Sequence, residues 1–190
     1  MAHPFPTGLY KIVNVKNHNI NIETLEFPAS IPVVAFPEGA TWDVSRPASL
    51  PNLGFAVHHL VVISESTDGI PANFQRKGPV PEEGVVVLQR ESLLADVWCL
   101  HKVSESVYLI FASPNRDEHH GPFHWQLLSS ERGTNVVVEA NNEHPVNKLL
   151  NGHIIGGSES SIDELTEKLK GLHEHHPESF WKFRRLENEE

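Results

Sequence analysis

The chain has 190 residues, enough for one sizeable hydrophobic core and too few for two ordinary domains. Its 25 acidic residues against 15 basic ones give a formal net charge of -10, which repels a nucleic-acid backbone or an anionic membrane. Cys99 is the single cysteine, so an intrachain disulfide is excluded, and no stretch approaches the ~20 apolar residues of a membrane helix.

The first predicted strand, 8–15, reads Gly8-Leu9-Tyr10-Lys11-Ile12-Val13. Asn17-His18-Asn19 turns it into a second strand at 20–24, where Ile20 and Ile22 alternate with polar neighbours. Residues 25–31 carry Pro28 and are excluded from a central strand. Strands at 33–36 and 41–44 then pair across the turn Pro37-Glu38-Gly39-Ala40.

The same order of elements returns twice. After a linker with Pro47 and Pro51, the second set comprises strands at 55–63, 73–76, 85–89 and 96–102, with Gly69-Ile70-Pro71 turning the first into the second. The third set comprises 107–112, 123–129 and 134–140, and its closing strand, 180–186, is delayed by an insertion at about 141–179. Ser161-Ile162-Asp163-Glu164 has the form of a capping box, and Ile162, Leu165, Leu169 and Leu172 share one helical face. Glu164 and Lys168 are spaced for an ion pair on that helix, which is expected to pack outside the strands and end near Gly171 to Pro177.

A four-strand unit that cannot bury its own apolar face implies copies around a shared core. Each unit closes on a tryptophan strand, at Trp42, Trp98 and Trp181. The predicted fold is therefore all-β, a β-trefoil spanning 1–190 as one domain, in which six strands close a short barrel and three hairpins cap it. A Greek-key sandwich is the competing architecture, because spacing does not fix strand order.

The segment Pro32-Val33-Val34-Ala35-Phe36-Pro37-Glu38-Gly39 followed by Trp42-Asp43-Val44 resembles the first unit of the mushroom β-trefoil serine protease inhibitors. Gly8-Leu9-Tyr10-Lys11-Ile12 and Phe180-Trp181-Lys182-Phe183-Arg184 resemble the same family, and more loosely the fungal β-trefoil cysteine protease inhibitors. The resemblance implies a small cytoplasmic inhibitor whose surface loop blocks a protease cleft, and a monomer is the default expectation for a closed barrel. It also implies that the loop between the second and third strands presents a basic residue to a trypsin-like pocket. The matching loop, Leu25-Glu26-Phe27-Pro28-Ala29-Ser30, contains no Lys or Arg. An apolar P1 residue suits a chymotrypsin-like or elastase-like pocket, with Leu25 the first candidate and Phe27 the second, stiffened by Pro28. Arg76 and Lys77 in the second unit and Lys148 in the insertion are the alternative reactive residues.

Thirteen histidines call for a metal test. His58-His59, His119-His120 and His173-Glu174-His175-His176 form clusters, yet there is no His-Glu-x-x-His spacing and no cysteine pair. His173 and His176 near the helix end are the best-spaced pair, but no metal and no cofactor is expected. No Gly-x-Ser-x-Gly turn is present, Cys99 reads as a small buried apolar residue, and the chain is not expected to be an enzyme. Two other readings remain: a carbohydrate-binding trefoil, which lacks the Gln-x-Trp signature of ricin-type lectins, and a non-inhibitory scaffold using the insertion as its partner surface. The expected partner is a protease, with neither nucleic acid nor membrane.

Overall fold

The computed structural model describes residues 5–22, 30–48, 59–76, 83–89, 95–112, 123–156 and 160–186. The first unit holds β1 (Gly8–Asn14), β2 (His18–Ile22), β3 (Ser30–Ala35) and β4 (Trp42–Ser45). The second holds β5 (His59–Glu65), β6 (Ala72–Arg76), β7 (Glu83–Gln89) and β8 (Trp98–Lys102). The third opens with β9 (Val107–Ala112), β10 (His124–Gln126) and β11 (Val137–Glu139). Helices α1 (Pro145–Gly156) and α2 (Ser160–His175) and a 3₁₀ turn, Pro177–Ser179, then precede β12 (Phe180–Arg185).

Antiparallel pairing runs from β1 to β4, β5, β8, β9 and β12 and back to β1, closing a six-strand ring. The hairpins β2–β3, β6–β7 and β10–β11 lie outside the ring. They are laced together by β3–β7, β7–β11 and the bridge between Val34 and Asn135. This is a β-trefoil with a helical insertion before the last strand, and closure satisfies the ring's backbone without leaving an open edge.

The register carries the threefold repeat into the side chains. Trp42 pairs with Tyr10, Trp98 with Val61 and Trp181 with Tyr108. Because strand side chains alternate, the residues two positions on point to the same face, and these are Ile12, Ile63 and Ile110, all fully buried in the central core. A fourth tryptophan, Trp125 of β10, meets Trp98 and Trp181 edge-on at 5.1 and 5.9 Å. Close packing also fixes Gly84, where a Cβ would fall 1.8 Å from the Phe74 ring.

A second core lies on the other face of the β8–β9 wall. Cys99, Val107, Leu109 and Phe111 pack there with Phe180 against Val146 and Leu150 of α1 and Leu165 and Leu169 of α2. The whole run Trp98 to His101 is buried as a result, with Trp98 and Leu100 facing the central core and Cys99 facing the helices. His101 Nε2 lies 3.0 Å from Thr166 Oγ1, tying β8 to α2. The Thr166 hydroxyl donates to Ile162 O, so its lone pair receives the imidazole N–H.

Helix α2 forms where the apolar spacing predicts it, with the Glu164–Lys168 ion pair present on its exposed side. Helix α1 was not expected from the sequence. The first hairpin also turns earlier than predicted, at Val15–Asn17, so that His18 and Asn19 belong to β2. Asn14 explains the shift: its Oδ1 accepts from the backbone N–H of Lys16 and Asn17 at 3.1 and 3.0 Å. Among the described residues, no helix is long and apolar enough to cross a membrane.

Candidate functional site

Leu25, Glu26, Phe27 and Pro28 lie outside the described residues, as does Lys77. The residues that flank the first loop are held in the ladder: Ile22 pairs with Val33, and Ser30 pairs with Gln89 of the second unit. Arg76 is the last residue of β6, paired with Gly84. Lys148 lies in the first turn of α1, its side chain 57% exposed and ion-paired with Glu143 at 2.6 Å. Its backbone N–H donates to His144 O, a helical conformation in place of the extended strand that a substrate-like insertion takes.

The histidines are distributed differently from their order along the chain. His173 packs edge-on against Phe180 at 5.2 Å, while His176 faces His144 at 5.2 Å. His144 immediately precedes α1, and its Nδ1 lies 3.3 Å from the Val146 N–H. His144, His176 and Glu178 each bring a ligand-type atom within 4.8 Å of the other two, and all three side chains are half-buried. The nearest pair is His176 Nδ1 and Glu178 Oε1 at 3.3 Å. Lys16 Nζ stands 3.8 Å from the other oxygen of Glu178.

Beneath this cluster runs a buried polar chain that joins the barrel to the insertion. Asn147 Nδ2 donates to Glu139 O at 3.0 Å and Asn141 O at 2.9 Å, which turns its Oδ1 towards His124. His124 Nδ1, 2.7 Å from that oxygen, must therefore carry the ring proton. His124 Nε2 is left to accept from the Ser179 hydroxyl at 3.0 Å, and Ser179 Oγ accepts in turn from Gln126 Nε2 at 3.1 Å. The same Gln126 nitrogen lies 3.0 Å from His144 Nε2.

Ser179, His124 and Asn147 thus share the connectivity of a nucleophile, its base and the base's orienter. All three are 0% exposed, which leaves a substrate carbonyl no approach to Ser179. Burial also drives the His124 pKa down to about 3, opposed by the Asn147 hydrogen bond, so the imidazole is a weak base. The chain acts as a strut between β10, α1 and the 3₁₀ turn. Cys99 is equally unsuited to nucleophilic work, because burial raises its thiol to about 12. Trp42, Trp98, Trp125 and Trp181 are fully buried, and none offers a face for stacking a ligand.

Sequence spacing pointed to His173 with His176, three residues apart near a helix end. The structure joins His176 instead to His144 and Glu178. The separation of the strut's members explains why it was not foreseen, since His124 lies 23 residues from Asn147 and 55 from Ser179. Pro145 at the first helical position is a local signal of α1.

No protein-family model and no curated protein matches the chain. Three solved structures resemble it over most of its length. The designed three-fold symmetric protein ThreeFoil matches with a TM-score of 0.55 at 12% identity, covering 94% of this chain and 99% of its own. A Caenorhabditis elegans protein of unknown function also matches at 0.55 and 12% identity, covering 96% and 97%. The Rhizoctonia solani agglutinin matches at 0.51 and 16% identity, covering 75% and 92%. At these identities the likeness is one of fold, and it agrees with the ring and hairpins described above.

Proposed function

We propose that the chain is a protease inhibitor, directed at a serine protease, that blocks the active site with the loop carrying Leu25, Glu26, Phe27 and Pro28. The observation that supports this reading most is the anchoring of that loop, whose flanks are paired to two different strands, Ile22 to Val33 and Ser30 to Gln89. The hairpin that carries the segment is tied to the hairpin of the second unit through β3–β7, and a segment that is pre-organised loses less conformational freedom on docking. The likeness of Pro32 to Gly39 and Trp42 to Val44 to the mushroom inhibitors points the same way. A standard interface of this kind buries about 1,600 Å² in total, so neighbouring loops contribute beside the P1 residue.

Carbohydrate binding is the second reading, favoured by the likeness of fold to the Rhizoctonia solani agglutinin. Its difficulty is that all four tryptophans are buried, so a sugar would have to be held by other groups.

Purified protein assayed against trypsin, chymotrypsin, elastase and a papain-like enzyme tests the first reading. Sub-micromolar inhibition that Leu25→Asp abolishes is the expected outcome. Inhibition unchanged by Leu25→Asp moves the reactive position to Arg76 or Lys77, and inactivity on the whole panel with binding on a glycan array replaces the reading by the second.

A further inference from the structure

We propose that His144, His176 and Glu178 form a binding site for a first-row divalent cation of the Zn²⁺ type. Two imidazoles and one carboxylate are the donor set that suits zinc, whereas Mg²⁺ and Ca²⁺ require oxygen-rich shells. Tetrahedral zinc with bonds of about 2.1 Å holds its donors roughly 3.4 Å apart. His176 Nδ1 and Glu178 Oε1, at 3.3 Å, already have that separation. The three donors span no more than 4.8 Å, so rotation of half-buried side chains about χ1 and χ2 brings the set to bonding distance. A water completes the fourth position, as in three-ligand zinc sites.

The surroundings favour the assembly. The buried His124 ring packs against His144 at 4.8 Å, and the Gln126 amide N–H donates to His144 Nε2 at 3.0 Å, so the plane of the imidazole is fixed. A bound cation takes over one nitrogen of His144 from a neutral contact, either the Gln126 amide or the long one to Val146 N–H. Lys16 is the competing cation, 3.8 Å from Glu178 Oε2 and half-exposed, and it can withdraw into solvent.

The position gives the site a consequence. His144 precedes α1, while His176 and Glu178 follow α2, so one ion bridges the entry and the exit of the insertion. The unfolded chain does not preserve this arrangement, and binding therefore stabilises the folded state by mass action.

The test is titration of ZnCl₂ into the untagged, metal-free full chain, followed by calorimetry and thermal melting. One saturable equivalent and a Tm that climbs with zinc are expected. Glu178→Gln and His176→Asn should each weaken binding by at least about tenfold, with His173→Asn leaving it unchanged. Should either variant fold poorly, Co²⁺ added to the wild-type chain gives an independent readout through the visible absorption of a low-coordinate His₂Glu site. The proposal is overturned by the absence of saturable zinc binding, by binding that follows His173 in place of His176, by equal affinity for Mg²⁺, or by a Co²⁺ spectrum of the free hexaaqua ion.

Discussion

Asn14 and Glu65 occupy the same place in successive units: each pairs across the ladder with a buried tryptophan, Asn14 with Trp181 and Glu65 with Trp42. Each also turns its side chain onto the backbone N–H groups two and three residues ahead. For Asn14 these belong to Lys16 and Asn17, and for Glu65 to Thr67 and Asp68, both at 2.8 Å. One carboxamide and one carboxylate thus solve the same problem, satisfying the amides of a tight turn where a barrel strand ends.

Glu65→Ala leaves two turn amides without their acceptor and should cost about 2 kcal/mol in urea denaturation at pH 7. Burial alone would raise the Glu65 carboxyl, but the amides of Asp68 and Thr67 and the Thr67 hydroxyl together hold it below its ordinary 4.5. A depressed carboxylate contributes stability that is present above pH 4.5 and is lost as pH falls through the folded-state value. Wild type should therefore lose its advantage over Glu65→Gln below pH 4.5, and an advantage that grew on acidification would contradict the assignment.

His124 titrates in the opposite sense to a surface histidine. Its folded pKa of about 3 lies under the ordinary 6.5, so the unfolded chain takes up the proton first as pH falls. Stability tied to this residue is complete above pH 6.5, declines through the window from 6.5 to about 3, and amounts to a loss of about 2 kcal/mol by pH 5. His101, lowered to about 4 by burial and by the nearby histidines 153 and 59, adds a parallel loss. Denaturation of wild type and His124→Gln at pH 8 and pH 5 isolates the His124 share, and parallel pH slopes for the two proteins would refute it.

The unit tryptophans differ in their indole N–H groups. Trp98 Nε1 donates to Ala72 O at 2.9 Å and Trp181 Nε1 to Trp125 O at 3.1 Å, whereas Trp42 Nε1 meets no partner among the described residues. Trp→Phe removes similar volume at all three positions, but at Trp98 and Trp181 it also orphans a buried carbonyl. Trp42→Phe should be the mildest by about 1 kcal/mol, and thermal or urea melts of the three variants rank them directly.

What the sequence made legible was whatever a local period writes. Tyr10, Ile12, Ile63 and the closing tryptophans repeat at strand spacing, so the units, the barrel and α2 with its Leu165–Leu169 stripe could be read from them. Helix α1 was hidden because Asn147 and His153 fall among its apolar positions and Asn151 and Gly152 are poor helix formers, leaving Pro145 and the group Val146, Leu149 and Leu150 as faint marks. Trp125 looked incidental in sequence, since its β10 strand is only three residues long, yet it fills the space between two unit tryptophans. The grouping of His144 with His176 and Glu178 exists only because two helices fold the chain back on itself, a relation that no short-range pattern records.

The β8–β9 wall, greasy on both of its sides, breaks the interchangeability that three copies would otherwise enjoy. Cys99, Val107, Leu109 and Phe111 would stand bare in water if the helices were trimmed away. Shortening this protein to a minimal symmetric trefoil therefore demands repainting that wall with polar residues at the same time, because wall and helices have become a single inseparable piece.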